Sequence, residues 1–118
     1  MSETVVTPEM QKELALVVGF TFKEGEQEKI GEYVKWHWCQ GCWIYPDGTK
    51  WGALPDLTDL TNGDKWLAPM LDFYILLQTK TGTIARVQKG MTKGYAEQEH
   101  AGTALFLACW KLLVESEG

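Results

Sequence analysis

The sequence predicts an α+β fold, a small α/β sandwich in which helices pack on an antiparallel sheet. Three observations favour it: a capped amphipathic helix near the start, an apolar helix near the end, and alternating aromatic-rich segments between them. The chain has 118 residues, of which 45% are hydrophobic and 23% charged. That length is typical of one domain, so we expect residues 1–118 to form a single α/β sandwich domain.

The segment "TPEMQKELALVVG" carries the start and stop signals of a helix. Thr7 can cap it, and Pro8 occupies the first helical position, where a missing N–H costs nothing. An apolar stripe follows at helical spacing, formed by Met10, Leu14, Val17 and Val18. Gly19 supplies a left-handed stop. The pattern predicts a helix over 8–18 that packs on the sheet.

The polar segment "KEGEQEKIGE" predicts an exposed loop, and the aromatic-rich alternation over 33–45 predicts strand. A two-residue turn at Gln40-Gly41 would fold 33–45 into a hairpin. The predicted cross-strand pairs are Cys39 with Cys42, Trp38 with Trp43, His37 with Ile44, and Trp36 with Tyr45. One face of this hairpin would carry Trp36, Trp38, Trp43 and Tyr45, and the other Lys35, His37, Cys39, Cys42 and Ile44.

Turn residues punctuate the second half of the chain. Pro46 and Gly48 predict a turn, and a short helix that ends near Pro69 would be capped by Asn62 or Asp64. Two strands over 73–89 are expected around a Thr81-Gly82 turn that pairs Leu77 with Arg86 and Thr79 with Ile84. A buried helix over 70–78 is the alternative, because short apolar runs are ambiguous. Residues 95–99 are a candidate edge strand.

The closing segment "GTALFLACWKLLVESE" predicts a helix over 103–115 with Thr103 as its cap. Two apolar stripes cover most of its circumference: Leu105, Ala108 and Leu112 on one side, and Phe106, Trp110 and Leu113 on the other. Such a helix needs cover on more than one side. The sheet covers one, and the first helix or a second copy of the chain covers the other. We therefore predict a homo-oligomer through Phe106, Trp110 or Leu113.

Three segments resemble the phage ABA-sandwich family. "ELALVVGFTF" resembles its opening helix, "IYPDGTKWGALPDLTDL" its central "PDG…W…LPD" segment, and "HAGTALFLACWKLLVE" its closing helix. The polar loop at 23–32 and the Cys39–Cys42 pair are departures from that pattern. The resemblance implies a small α/β sandwich encoded by a bacteriophage or prophage. It does not imply an activity for any particular residue. Many small phage proteins counter host defence by binding a host enzyme or its signal molecule.

Composition excludes several classes of protein. The net charge is −5 and no segment concentrates Lys or Arg, so duplex nucleic acid is not an expected partner. No apolar run approaches the ~20 residues of a membrane helix, so no membrane is expected. The start resembles no signal peptide and three cysteines are an odd number. We therefore expect a reduced, cytosolic compartment, and the resemblance to phage proteins implies that it is the bacterial cytoplasm.

The Cys39-Gln-Gly-Cys42 motif is half of a structural zinc site at most. A second such pair is absent from the sequence, and only His37, His100 and Cys109 could complete the site. A redox dithiol would lie at a helix start rather than beside a strand turn. We expect no metal and no cofactor, with the two cysteines packed as small hydrophobic side chains.

The aromatic face has two interpretations. It is a packed core, or it is a partly open platform on which a nucleobase or a partner's side chain stacks. In the second case Arg86, Lys89 and Lys93 could meet a phosphate. The predicted ligand-binding residues are Trp36, Trp38, Trp43, Tyr45 and Arg86, and no residue is predicted to be catalytic.

These observations favour a non-catalytic, phage-encoded accessory protein that binds a host protein or a small nucleotide. The sequence assembles no acid, base and nucleophile in a known pattern. The alternative is a small metal-dependent or hydrolytic enzyme that uses His37, Cys39, Cys42 and His100.

Overall fold

The computed structural model describes residues 5–37 and 41–115, with the backbone alone at 26–28, 36 and 37. Within these residues, three α-helices and three small antiparallel sheets form an α+β fold, which confirms the predicted class. The chain divides into two compact units. We call Met1–Val18 with Pro55–Gly118 the helical unit, and Gly19–Leu54 the β unit. A single domain over 1–118 stays a prediction.

Helix α1 of the helical unit spans Pro8–Val18, as predicted. The Thr7 hydroxyl accepts a hydrogen bond from the Met10 N–H at 3.2 Å, which satisfies one of the unpaired donors at the helix start. Gly19 ends the helix at a φ of 111°, a conformation that side chains with a β-carbon rarely adopt. Leu14, Ala15 and Val18 are the buried residues of α1.

The next helical segment begins earlier than predicted. Helix α2 is a single turn, Leu60–Asn62, followed by a π-helical turn, Gly63–Leu67, and a 3-10 turn, Ala68–Met70. Its cap is Asp59, whose Oδ1 accepts from the Thr61 N–H at 2.9 Å. The predicted caps Asn62 and Asp64 were wrong, because Asn62 donates to the Asp56 carbonyl and Asp64 accepts from the Tyr74 hydroxyl.

Strands β6 (Phe73–Gln78), β7 (Thr83–Lys89) and β8 (Thr92–Gln98) form one antiparallel sheet in the order β6-β7-β8. The strand interpretation of 73–78 is thus confirmed over the helical one, and the edge strand starts at Thr92. The predicted register was wrong by two residues, since Leu77 pairs with Ile84 rather than with Arg86. A four-residue loop, closed by a bond from the Thr79 N–H to the Gly82 carbonyl, takes up the difference.

Helix α3, Ala101–Leu113, packs on β7 and β8 and contacts α1. Its cap position is His100 rather than the predicted Thr103. A β-carbon at Gly102 would collide with the Thr58 carbonyl, so only glycine permits this close approach of the first turn to the loop before α2. Helix α3 therefore begins earlier than predicted at a tertiary contact, between Gly102 and Thr58. A local cap pattern in the sequence does not reveal such a contact.

The predicted homo-oligomer was inferred from apolar residues on two sides of α3, and the single chain already covers most of them. Phe106 and Leu113 are buried within one chain, and Trp110 is half-buried. Since α1 contacts α3, the first helix supplies cover that a second copy was expected to supply. A homo-oligomer itself stays a prediction.

Five short strands lie in the described part of the β unit: β1 (Thr21–Lys23), β2 (Glu26–Ile30), β3 (Tyr33–His37), β4 (Cys42–Ile44) and β5 (Lys50–Trp51). Strand β4 lies between β1 and β5, while β3 pairs with β2. The predicted hairpin of β3 with β4 was wrong, because among the described residues β3 pairs with β2, and β4 with β1 and β5. The two predicted pairs that involve Trp38 and Cys39 lie outside the described residues.

Different partners replace those predicted for the aromatic segment. His37 pairs with Glu26 and Trp36 with Gln27, whereas Ile44 pairs with Thr21 and Lys50. The segment predicted to be a loop at 23–32 contains β2, which turns into β3 through Gly31 at a φ of 63°. A two-residue turn with positive φ closes a hairpin between neighbouring strands. Strand β3 therefore pairs with β2, which precedes it, and not with β4, which follows it.

The turn predicted at Pro46 and Gly48 is confirmed. It joins β4 to β5, with Gly48 at a φ of 90° and a hydrogen bond of 2.8 Å from the Tyr45 N–H to the Thr49 carbonyl. The Asp47 carboxylate accepts from both the N–H and the hydroxyl of Thr49. This side-chain bonding to the backbone two residues on is typical of Asp in turns.

Candidate functional site

The two faces of the β6–β7–β8 sheet have different surroundings. On β7, Thr83, Ala85 and Val87 are buried and face α3, as do Gly94, Ala96 and Gln98 on β8. A β-carbon at Gly94 would collide with the Ala108 carbonyl of α3, so the helix backbone approaches β8 very closely there. We call this the packed side of the sheet.

Side chains alternate across a strand, so every second residue of β6, β7 and β8 lies on the opposite face of the sheet, which we call the open side. The strand register arranges them in three cross-strand rows. These rows are Phe73–Gln88–Lys93, Ile75–Arg86–Tyr95 and Leu77–Ile84–Glu97. Directly opposed side chains in such rows have β-carbons about 5 Å apart, so neighbours can contact one ligand together.

The open side exposes apolar and cationic groups together. Phe73 and Tyr95 are each 48% exposed, and Ile75 is 44% exposed. Arg86 and Lys93 are also exposed, and within residues 5–37 and 41–115 neither side chain has a hydrogen-bond or ion-pair partner. A depression of about 440 Å³ is lined by these five residues together with Gln88, Val87 and Gly94. The Gln88 amide donates to the Gly90 carbonyl at 3.1 Å, which holds this side chain at the sheet end.

A second candidate site is the aromatic cluster of the β unit. The register places Phe22, Trp43 and Trp51 in one cross-strand row. Phe22 and Trp43 meet edge to face with ring centroids 5.2 Å apart. Tyr45 joins the cluster at 6.3 Å from Trp51 and 4.8 Å from Phe20.

Internal bonds hold this cluster in place. The Tyr45 hydroxyl donates to the Ala53 carbonyl at 2.7 Å, and the Trp51 indole donates to the Thr49 hydroxyl at 3.2 Å. Burial, and then the charge of Asp47, raise the pKa of Tyr45 above its ordinary value. Trp43 is only 9% exposed. Phe22 and Trp51 are about half-exposed, whereas Trp43 fits the core interpretation better than the platform.

The predicted ligand-binding residues do not form one group. Trp43 and Tyr45 lie in the aromatic cluster, and Arg86 lies on the open side of the helical unit. Trp36 is on β3 with only its backbone described, and Trp38 lies outside the described residues. Whether these residues bind a ligand stays a prediction.

Sequence reasoning missed Phe73, Ile75 and Tyr95. The signal for Phe73 and Ile75 was the run "FYILLQ", in which apolar residues occupy both faces of a strand, whereas Tyr95 lies outside this run on β8. A strand with one solvated face would alternate apolar and polar residues instead. The run therefore indicates a second apolar face, although the sequence does not say which of the two the helix covers.

The cysteines and His100 form no site in the described part of the chain. Cys42 is 1% exposed in the β unit, and Cys109 is fully buried in α3. Burial raises the pKa of the Cys109 thiol to about 12, so it is protonated near neutrality. Residues 5–37 and 41–115 contain no cluster of three or more groups able to hold a metal ion. Cys39 lies outside the described residues.

Wider comparisons add no relative. Among the described residues, no helix is long and apolar enough to cross a membrane. Comparisons with models of known families, with curated proteins and with solved structures gave no match. The resemblance to phage ABA-sandwich proteins is therefore an untested prediction, and the open side must be interpreted from its own chemistry.

Proposed function

We propose that this protein is a non-catalytic binding protein whose ligand contacts the open side of the β6–β7–β8 sheet. The observation that carries the proposal is that apolar and cationic side chains are exposed together on one face: Phe73, Ile75 and Tyr95 beside Arg86 and Lys93. Aromatic and Arg side chains are enriched at binding surfaces, because they combine large contact area with hydrogen bonding.

The energetics of an exposed apolar face support this proposal. Half-exposed side chains on β6 and β8 forgo part of the burial that stabilises a fold, at about 25 cal/mol per Å² of apolar surface. Contiguous apolar patches on proteins commonly mark interaction sites. The packed side already stabilises the sheet, so binding a ligand accounts for the apolar residues opposite it.

The proposed setting is a bacteriophage accessory protein in the bacterial cytoplasm, which binds a host protein or sequesters a small nucleotide. It is supported by the three segments that resemble the phage ABA-sandwich family. The enzyme alternative through His37, Cys39, Cys42 and His100 has less support. Cys42 is buried in the β unit, and His100 is an exposed cap residue in the helical unit.

The test compares Ile75→Asp with Ile30→Asp after incubation with bacterial lysate. Both isoleucines are about half-exposed on strands, Ile75 on the open side and Ile30 on β2. Proteins that co-purify and small molecules released by denaturation are identified by mass spectrometry. We expect wild type and Ile30→Asp to retain the same component and Ile75→Asp to lose it, because a charge on the open side disrupts apolar contact.

Two results would contradict the proposal. Equal retention by Ile75→Asp and wild type would remove the open side from binding. A retained small molecule that is converted to a product would make the protein an enzyme.

A further inference from the structure

The ligand class of the open side follows from the size, charge and aromatic content of its depression. This step rests on the proposed function, since it assigns a ligand to the same surface. A depression of about 440 Å³ lies within the range of small-molecule sites, roughly 300–1,000 Å³. A small ligand therefore fits it better than the broad surface of a folded partner, which spans some 20–30 residues a side.

The charge of the depression opposes that of the whole chain. The protein has a net charge of −5, yet its only arginine, Arg86, lies here with Lys93. Arg86 pairs with Tyr95 and Lys93 with Gln88, so the two cations are diagonal neighbours, about 7–8 Å apart at their α-carbons. The Glu97 carboxylate is the other diagonal neighbour of Arg86, at a similar α-carbon spacing, but Glu97 does not line the depression. Two unpaired cations at this spacing complement an anion, and a guanidinium matches the geometry of phosphate oxygens.

Aromatic rings flank these cations. Tyr95 is the cross-strand neighbour of Arg86, and Phe73 is in the same row as Lys93. Both rings are half-exposed. Every nucleobase has a π face that can stack on such a ring, and stacking needs no basic groove around it. Gln88 lies between Phe73 and Lys93 in their row, with its amide bonded to the Gly90 carbonyl.

We infer that the depression binds a mononucleotide-class ligand, with its base against Phe73 or Tyr95 and its phosphate at Arg86 and Lys93. Both parts are required together. Phosphate alone leaves the rings exposed, and a nucleoside alone leaves the two cations without an anion.

Calorimetric titration with the four ribonucleoside 5′-monophosphates tests the inference, with the matching nucleosides and inorganic phosphate as separate probes. We expect at least one monophosphate to bind at least about tenfold more tightly than its nucleoside and than phosphate, a ratio that corresponds to one charge-assisted contact. Affinity should fall as salt is added, because the cations are exposed.

Matched variants locate the site. Arg86→Gln and Tyr95→Ala should each weaken monophosphate binding by about tenfold or more, from loss of a charged hydrogen bond and of stacking. Lys80→Gln, in the exposed loop between β6 and β7, and Tyr33→Ala, at a ring 80% exposed in the β unit, should leave it unchanged. Circular dichroism confirms that each variant is folded.

Several results would overturn the inference. These are no binding of any monophosphate at millimolar concentration, equal binding of phosphate or nucleoside, or unchanged affinity in both Arg86→Gln and Tyr95→Ala. If monophosphates fail while Ile75→Asp still loses a lysate component, the ligand class is wrong and the binding function stands. If Ile75→Asp loses nothing either, both proposals fail.

Discussion

The packed and open sides of the β6–β7–β8 sheet are built from the same strands yet use opposite chemistry. Along β7, Ala85 and Val87 are 0% and 2% exposed beneath α3, whereas Arg86 between them is exposed. Along β8, Gly94 is buried against the helix backbone and its neighbour Tyr95 is half-exposed. One residue of separation thus divides close packing from a surface available to a ligand.

The comparison shows that apolar character has two uses in this sheet. The packed side selects small residues, Ala85, Gly94 and Ala96, because α3 approaches the strands closely. The open side retains Phe73 and Tyr95, whose size would not fit under the helix. The proposed binding function rests on this contrast between large exposed rings on one side and small buried residues on the other.

The largest expected effect comes from one charge placed on each side in turn. Val87→Asp should lower the free energy of unfolding by about 4 kcal/mol or more, because it buries a carboxylate without a partner. Arg86→Asp should change it by no more than about 0.5 kcal/mol, since that position is exposed. Urea unfolding followed by tryptophan fluorescence measures both. Similar midpoints for the two variants would erase the distinction between the sides.

Adding a methyl group to the packed side should have a smaller effect on stability than adding a charge. Gly94→Ala should lower the free energy of unfolding by about 1–3 kcal/mol, because the added carbon collides with the Ala108 carbonyl and α3 must shift. Lys93→Ala, one residue away on the open side, should stay within about 0.5 kcal/mol of wild type. The same urea experiment compares them. A Gly94→Ala variant as stable as wild type would mean that α3 does not approach β8 so closely.

The buried thiol of α3 tests whether the packed side excludes water. Burial raises the pKa of Cys109 to about 12 from 9.0, so the folded protein keeps a proton that the unfolded chain loses above pH 9. Stability from this group is complete below pH 9 and declines between pH 9 and 12, by up to about 1.4 kcal/mol per pH unit.

Cys109→Ala removes this dependence. Between pH 8 and pH 10 in reductant, the free energy of unfolding should fall by about 1 kcal/mol more for wild type than for the variant. Comparing the two proteins cancels groups that titrate in both. An equal fall would indicate that water reaches Cys109.

The sequence predicted the elements on the packed side well, since their signals are local. Thr7 and Gly19 mark the ends of α1, and the apolar run around Phe106 marks α3. It predicted pairing less well, because a strand does not specify its partner. Trp36 pairs with Gln27 through a turn at Gly31, and nothing in the aromatic alternation of β3 revealed that polar partner.

The open side could be predicted only in part. Arg86 was predicted, with Lys89 and Lys93, as a cation that could meet a phosphate. Tyr95 and Phe73 were not, because grouping them with Arg86 requires the register of three strands and the position of α3. The Trp-rich segment drew attention by composition, yet Trp43 is buried. Exposure is a tertiary property, which composition alone does not give.

The smallest expected effect tests whether the open side contributes to folding at all. Ile75→Thr keeps a β-branched side chain suited to a strand and removes apolar surface that is already 44% exposed. We expect the free energy of unfolding to change by no more than about 0.5 kcal/mol.

Measurements at two protein concentrations separate folding from self-association, because stability that derives from a second copy rises with concentration. A larger loss, or a concentration dependence present in wild type and absent in Ile75→Thr, would mean that the open side is itself an interface between copies of the chain. Ile75→Thr with unchanged stability and weaker ligand retention would instead assign the apolar surface of β6 to binding, since the substitution would then affect only the complex.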